Sequence, residues 1–211
     1  MMRPLFGLLL ALAACSRPLT EAETQFATDL FGDTLNVGKV RVAHGLGLTP
    51  PPKLVPGSVK KLRGTEQACI RTPQPGARQP AQAFALRNGV FFSSALYSSD
   101  MALTWPKGMR FPQALIFAHE LTHVWQWQNR GKTGYSPWRA IRESLRLADP
   151  YFSANGEEPE FLRFGFEQQA AIVEDFVCFT IANPRHPRRQ ELRAVLAPIL
   201  PVEAFEAAIQ R

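Results

Sequence analysis

The residues best suited to chemistry lie side by side at His119-Glu120-Leu121-Thr122-His123. Imidazoles four positions apart stand one above the other on a helix face, so both can reach one metal ion. Glu120 lies about 100° further round the helix, where it can reach a water in the metal's open position without becoming a ligand. A metal lowers the pKa of such a water, and a carboxylate can take its proton and later pass it to a leaving amine. Catalytic zinc sites of this kind use three protein ligands. A third histidine six residues beyond His123 is absent, because that position is Asn129. The remaining source is a carboxylate on a downstream helix, where Glu167, Glu174 and Asp175 are available. Glu167 is the expected third ligand. Glu174, two turns along nearly the same face, is the alternative. Phe161, Leu162, Phe164, Phe166, Ile172 and Val173 surround Glu167 in sequence and imply burial, and a buried carboxylate needs a partner.

Two helices must position these groups. The first is expected to carry Pro112 in its first turn and to stop at Gly131. Leu115, Ile116, Val124 and Trp125 can bury its back and sides, while Ala118 and Thr122 are small enough for close packing near the site. The second is expected over 161–182, stopped by Asn183-Pro184. Thr20 followed by Glu23 is a capping box opening a helix over 21–31, with Gly32 closing it. A strand is expected over 37–42. A hairpin is expected over 83–93, with Asn88-Gly89 as a type I′ turn. Residues 45–80 are rich in Gly and Pro, with a strand near 65–71. Short helices are expected over 138–147, 187–197 and 201–210. This order gives an α+β single domain with a small sheet in the first half.

Hydrophobic residues make up 45% of the 211 and charged residues 20%, which excludes a disordered chain. The net charge of +6 is dispersed, unlike the dense basic stripe of a nucleic-acid-binding protein, so no nucleic-acid partner is expected. The late cluster Arg185, Arg188, Arg189 and Arg193 could touch anionic lipid or glycan. It is the footing for a third reading, an envelope-binding protein without metal.

The N-terminus has one early positive charge at Arg3, an apolar stretch from Leu5 to Ala14, and then Cys15. The stretch is too short to span a bilayer. Leu12-Ala13-Ala14-Cys15 resembles a bacterial lipobox: the small residues admit the signal peptidase, and the Cys15 thiol carries the lipid. That resemblance implies a removed signal peptide over 1–14, lipid attachment at Cys15, and a domain over 15–211 ending in a helical tail. Ser16 after the cysteine implies the outer membrane, facing the periplasm. In that oxidising compartment Cys69 and Cys178 either form a disulfide or leave Cys178 as a buried thiol on an apolar helix.

His119-Glu-Leu-Thr-His-Val-Trp-Gln126 resembles the signature of bacterial zincin-like proteins, most closely the Vgr-related group, and more distantly a domain found in many polymorphic and injected toxins. Phe31-Gly32-Asp33, Val40-Arg41-Val42, Asn88-Gly89-Val90-Phe91-Phe92 and Phe166-Glu167-Gln168-Gln169-Ala170 extend the likeness over most of 17–182. The resemblance implies a zincin-like fold with an edge strand, the 83–93 hairpin, beside the active-site helix. It maps His119, His123 and Glu167 onto zinc ligands and Glu120 onto the base. A secretion-system association is implied by the group's label. Two positions depart from it. Ala171 replaces the Asp that orients the first histidine, and Phe164 replaces a Tyr near the ligand. Tyr135, Tyr151 and His186 are then the candidate donors to a developing oxyanion. The function expected is zinc-dependent hydrolysis of a protein or peptide in the cell envelope. The competing expectation is a weak or inactive zincin-like scaffold that recruits a secretion or envelope partner.

Overall fold

Helix α1 (Glu21–Phe31) begins where the capping box sits: Thr20 Oγ1 accepts from the Glu23 amide, and Glu23 Oε2 accepts from the Thr20 amide. Glu23 is also fully buried. Its carboxylate receives Arg17 at 2.6 and 2.8 Å and the Met101 amide at 2.8 Å, so one cap ties the chain start to a distant connector. The computed structural model describes residues 16–46, 69, 82–146 and 160–210. The expected signal peptide, Cys15, nearly all of the strand expected near 65–71, and Tyr151 lie outside the described residues.

The fold is a small α+β domain. Four strands, β1 (Ser16–Arg17), β2 (Arg41–His44), β3 (Ala83–Leu86) and β4 (Gly89–Phe92), form one mixed sheet of order β1-β2-β4-β3. β2 and β4 run parallel, while β1 and β3 pair antiparallel with their neighbours. Among the described residues β3 lies at an edge of the sheet, and it packs beside helix α2 (Gln113–Gln128). Next come α3 (Arg130–Thr133), α4 (Pro137–Arg146), α5 (Phe166–Ala182), α6 (Pro187–Leu196) and α7 (Val202–Ile209). α2 and α5 pack on each other through the middle of the domain. An aromatic group ties α1 to α7: Phe26 meets Trp105 edge-on at 5.1 Å, and Trp105 stacks on Phe205 at 5.0 Å.

Several boundaries differ from the sequence expectation, each for a local reason. The segment 37–39 is a 3-10 turn closed by Val40 N–H on the Val37 carbonyl, so the strand starts only at Arg41. The hairpin turn is Arg87-Asn88, one residue earlier than expected. Gly89 already pairs with Leu86, and only Arg87 of the two turn residues has positive φ. Gly89 is needed for space: a Cβ there would lie 2.7 Å from the Phe91 ring. Pro112 precedes α2 as its cap, and Gly131 lies inside α3. α2 ends instead at Asn129, whose side-chain amide donates to the Trp125 and Thr34 carbonyls. Residues 161–163 form a separate 3-10 turn, and α5 starts after Gly165.

The late arginines are not an open basic patch. Arg188 pairs with Glu191, Arg189 with Glu206, and Arg193 with Glu203 and Glu206. Three of the four cations are thus paired with carboxylates, which lowers the net positive charge the cluster can offer to an anionic surface.

Cys69 and Cys178 form a disulfide across a sequence separation of 109, attaching the long connector to the middle of α5. Of the two sequence expectations, the buried free thiol is therefore the incorrect one. Replacing both cysteines by alanine is expected to cost about 2–5 kcal/mol in urea unfolding. An unchanged midpoint and slope would show that the crosslink contributes nothing to stability.

Candidate metal centre

α2 is buried almost all round, so its polar residues must find partners inside the protein. His119, Glu120 and His123 are 7%, 6% and 6% exposed. The Nε2 atoms of both histidines face a carboxylate from α5. Glu167 Oε2 lies 3.4 Å from Nε2 of His119 and 3.4 Å from Nε2 of His123. These atoms lie within 4.8 Å of one another and can hold a metal ion. The three residues expected to be ligands are thus brought together, each offering the atom that faces the others.

The Nδ1 atoms of both imidazoles are held from behind. His119 Nδ1 is 3.1 Å from Glu174 Oε2. Glu174, seven residues beyond Glu167, thus makes a contact with this ring that Ala171 cannot, and it is not part of the group that could hold a metal. His123 Nδ1 is 2.8 Å from Gln126 Oε1. Gln126 in turn donates to the Phe166 carbonyl at 3.0 Å and to Gln169 Oε1 at 2.9 Å, and Gln169 donates to the Phe164 carbonyl. The chain from His123 thus ends on the backbone just before and within the first turn of α5. Sequence reasoning assigned no role to Gln126 or Gln169. The usable signal was two glutamines on largely apolar helices, one of them three residues after a ligand histidine.

The electrostatics follow from packing three carboxylates around two imidazoles. Burial alone would lower the His119 pKa, but hydrogen bonding to Glu167 and Glu174 outweighs it and raises it to about 10. His123 is raised the same way, against burial, through Glu167. Burial pushes the Glu167 carboxyl up, yet the two imidazoles hold it well below the usual carboxylate range. Glu120 is raised, first by burial, because no hydrogen bond offsets the loss of water. Its Oε2 is buried with no hydrogen-bond partner among the described residues. Two imidazoles and a carboxylate suit a borderline metal such as zinc better than the oxygen-only cages of calcium or magnesium.

Tyr135, from the turn between α3 and α4, is 7% exposed and its ring centroid lies 6.2 Å from that of His123. Burial and the charges of Glu167 and Glu120 raise its phenol pKa, so it remains a donor. His186 is elsewhere: it stacks on Phe179 at 4.6 Å and accepts from the Arg188 amide at the start of α6. Trp125 is core and donates to Thr34 Oγ1. Trp127 is half-buried, with the guanidiniums of Arg130 and Arg87 over its ring at 4.5 and 5.8 Å. It lines a cavity of about 250 Å³ with Asp33, Asn36, Lys39 and Asn88, a cavity to which the metal-binding triad does not contribute.

No family model matches this chain, and no curated protein matches it. Among solved structures, the effector domain of Pseudomonas aeruginosa VgrG2b is similar, at 22% identity and a TM-score of 0.51. The match covers 92% of this chain and 93% of that one, so the likeness in fold runs the length of both.

The geometry predicts different losses for the two α5 carboxylates. Glu167→Ala should abolish stoichiometric zinc binding. Glu174→Ala should retain it with about 10–100-fold weaker affinity, the scale of a lost partner of a ligand histidine. Chelator-competition titration checks this, and the reverse ranking would exchange the two roles.

Proposed function

We propose that this protein is a zinc-dependent peptidase of the bacterial cell envelope, with a zincin-like active site in which His119, His123 and Glu167 hold the metal and Glu120 is the general base. One observation carries the reading: the convergence of His119 Nε2, His123 Nε2 and Glu167 Oε2. Zinc bonds of about 2.0–2.1 Å at tetrahedral angles place ligand atoms about 3.3–3.4 Å apart. Both imidazole–carboxylate separations here are 3.4 Å. The orienting bonds from Glu174 and Gln126 leave the Nε2 lone pairs for the metal.

Zinc bound there supplies a water of lowered pKa and polarises the scissile carbonyl. Glu120 takes the proton of the attacking water as the new C–O bond forms. It then delivers that proton to the amine nitrogen as the C–N bond breaks, which leaves a free carboxyl and a free amine. Its burial suits this exchange, because a carboxylate whose pKa is raised by lost hydration is a stronger proton acceptor than an exposed one. Of the candidates among the described residues, Tyr135 is the one beside His123, and it would donate to the negative charge developing on the carbonyl oxygen. The edge strand β3 beside α2 offers main-chain groups to which an extended peptide can add.

The binding-only scaffold reading drew on the missing orienter at Ala171, and Glu174 supplies that contact by another route. The lipobox at Leu12–Cys15 supports a lipid-anchored location at the outer membrane, and the disulfide suits an oxidising compartment. The likeness to a Vgr effector domain supports a link to a secretion apparatus.

Glu120→Gln is expected to keep one zinc per chain and to lower peptide cleavage about a hundredfold to ten-thousandfold. Cleavage of a quenched-fluorescent peptide library, measured beside metal content, checks this. Full activity in the variant would remove Glu120 from the reaction.

A further inference from the structure

The first turn of α5 carries the ligand Glu167. Gln168 Oε1 accepts from the Gly165 amide at 3.1 Å, but Gly165 has no side chain with which to cap the amides of Phe166 and Glu167. The four leading amides of a helix need acceptors. Here the acceptor comes from another helix. Glu143 of α4 accepts from the Phe166 amide through Oε2 at 3.0 Å, and its Oε1 lies 3.4 Å from the Glu167 amide. The backbone of the metal-ligating residue is therefore held by a carboxylate that belongs to neither site helix.

Gly165 shows how close this approach is. Its backbone is ordinary extended chain, φ −61° and ψ 158°, so no left-handed conformation calls for glycine. A Cβ at 165 would instead lie 2.1 Å from Glu143 Oε1 and 2.7 Å from its Cδ. The carboxylate occupies the space a side chain would need. Around it, Phe166 packs with Tyr135 and Ala140, and the Arg139 guanidinium lies 5.7 Å from the centre of the Phe166 ring. α4 is thus fastened to the first turn of α5 by packing on one side and by Glu143 on the amides.

We propose that Glu143 is a positioning residue for the metal centre: by capping α5 at Phe166 and Glu167, it holds the Glu167 carboxylate against His119 and His123 and so sets metal affinity from α4. The proposal rests on the metal-binding reading given above. Without the cap, the first turn of α5 frays, and the ligand most exposed to fraying is Glu167. A negative charge at this helix end is also favoured by the helix dipole.

The test is a double-mutant cycle on the intact chain, with zinc affinity by chelator competition and stability by urea unfolding of the same samples. Glu143→Ala is expected to weaken zinc binding about tenfold, the scale of a lost cap or a lost partner of a ligand. Glu143→Gln, which keeps an acceptor, should recover most of the affinity. Gly165→Ala should mimic Glu143→Ala by displacing an intact Glu143, and it should add little in the Glu143→Ala background. Two results overturn the proposal while leaving the metal site standing: parental affinity in both single variants, or additive losses in the double variant. Affinity that falls only where the unfolding midpoint falls in proportion also overturns it, because Glu143 is then merely structural. A parent chain that takes up no zinc defeats the underlying metal reading, and this proposal with it.

Discussion

Everything in this domain turns on the contact between two buried helices that each carry charge on their facing sides. α2 presents His119, Glu120 and His123, and α5 presents Glu167 and Glu174. None of these groups can be buried alone without a large cost in lost hydration. Together they form a network in which both nitrogens of His119 face α5 carboxylates, and His123 is held between Glu167 and Gln126. The apolar flanks of both helices, Phe117, Leu121 and Val124 on one and Val173, Phe176 and Val177 on the other, lie in the same core. The register of that packing decides which carboxylate meets which ring nitrogen.

The rest of the fold serves that register. The disulfide fastens the Gly- and Pro-rich connector to α5 at Cys178, one turn beyond Glu174. Gln126 and Gln169 bridge α2 to the start of α5 through buried amides, and an amide with several satisfied bonds fixes register more strictly than apolar contact does. α4 and Tyr135 close the opposite side of the site around Phe166. The likeness to the VgrG2b effector domain, over 92% of this chain, shows that this arrangement of sheet and helices is shared with that solved domain.

Much of this was legible in the sequence, and the parts that were not have physical reasons. His119 and His123 were readable because four-residue spacing on a helix leaves little freedom. Glu167 was readable because a carboxylate in an apolar helix demands a partner. That Glu174 would face Nδ1 of His119 while Glu167 faces Nε2 was not, since seven residues return a side chain to nearly the same face and only tertiary packing separates their contacts. The turn falls at Arg87-Asn88, one residue before the Asn-Gly pair, because Gly89 is already paired with Leu86 in the strand ladder, a pairing that local turn preference does not reveal. The interplay of Glu143 and Gly165 was invisible, because it joins a helix side chain to a distant backbone and leaves no periodic trace.

The most direct test of the central claim is anomalous X-ray scattering at the zinc edge from crystals of the zinc-loaded protein. The account predicts one peak per chain within about 2.0–2.2 Å of His119 Nε2, His123 Nε2 and a Glu167 oxygen, with Glu174 on His119 Nδ1 and not on the metal. A peak coordinated by Glu174 in place of Glu167, or none between the two helices, would contradict it.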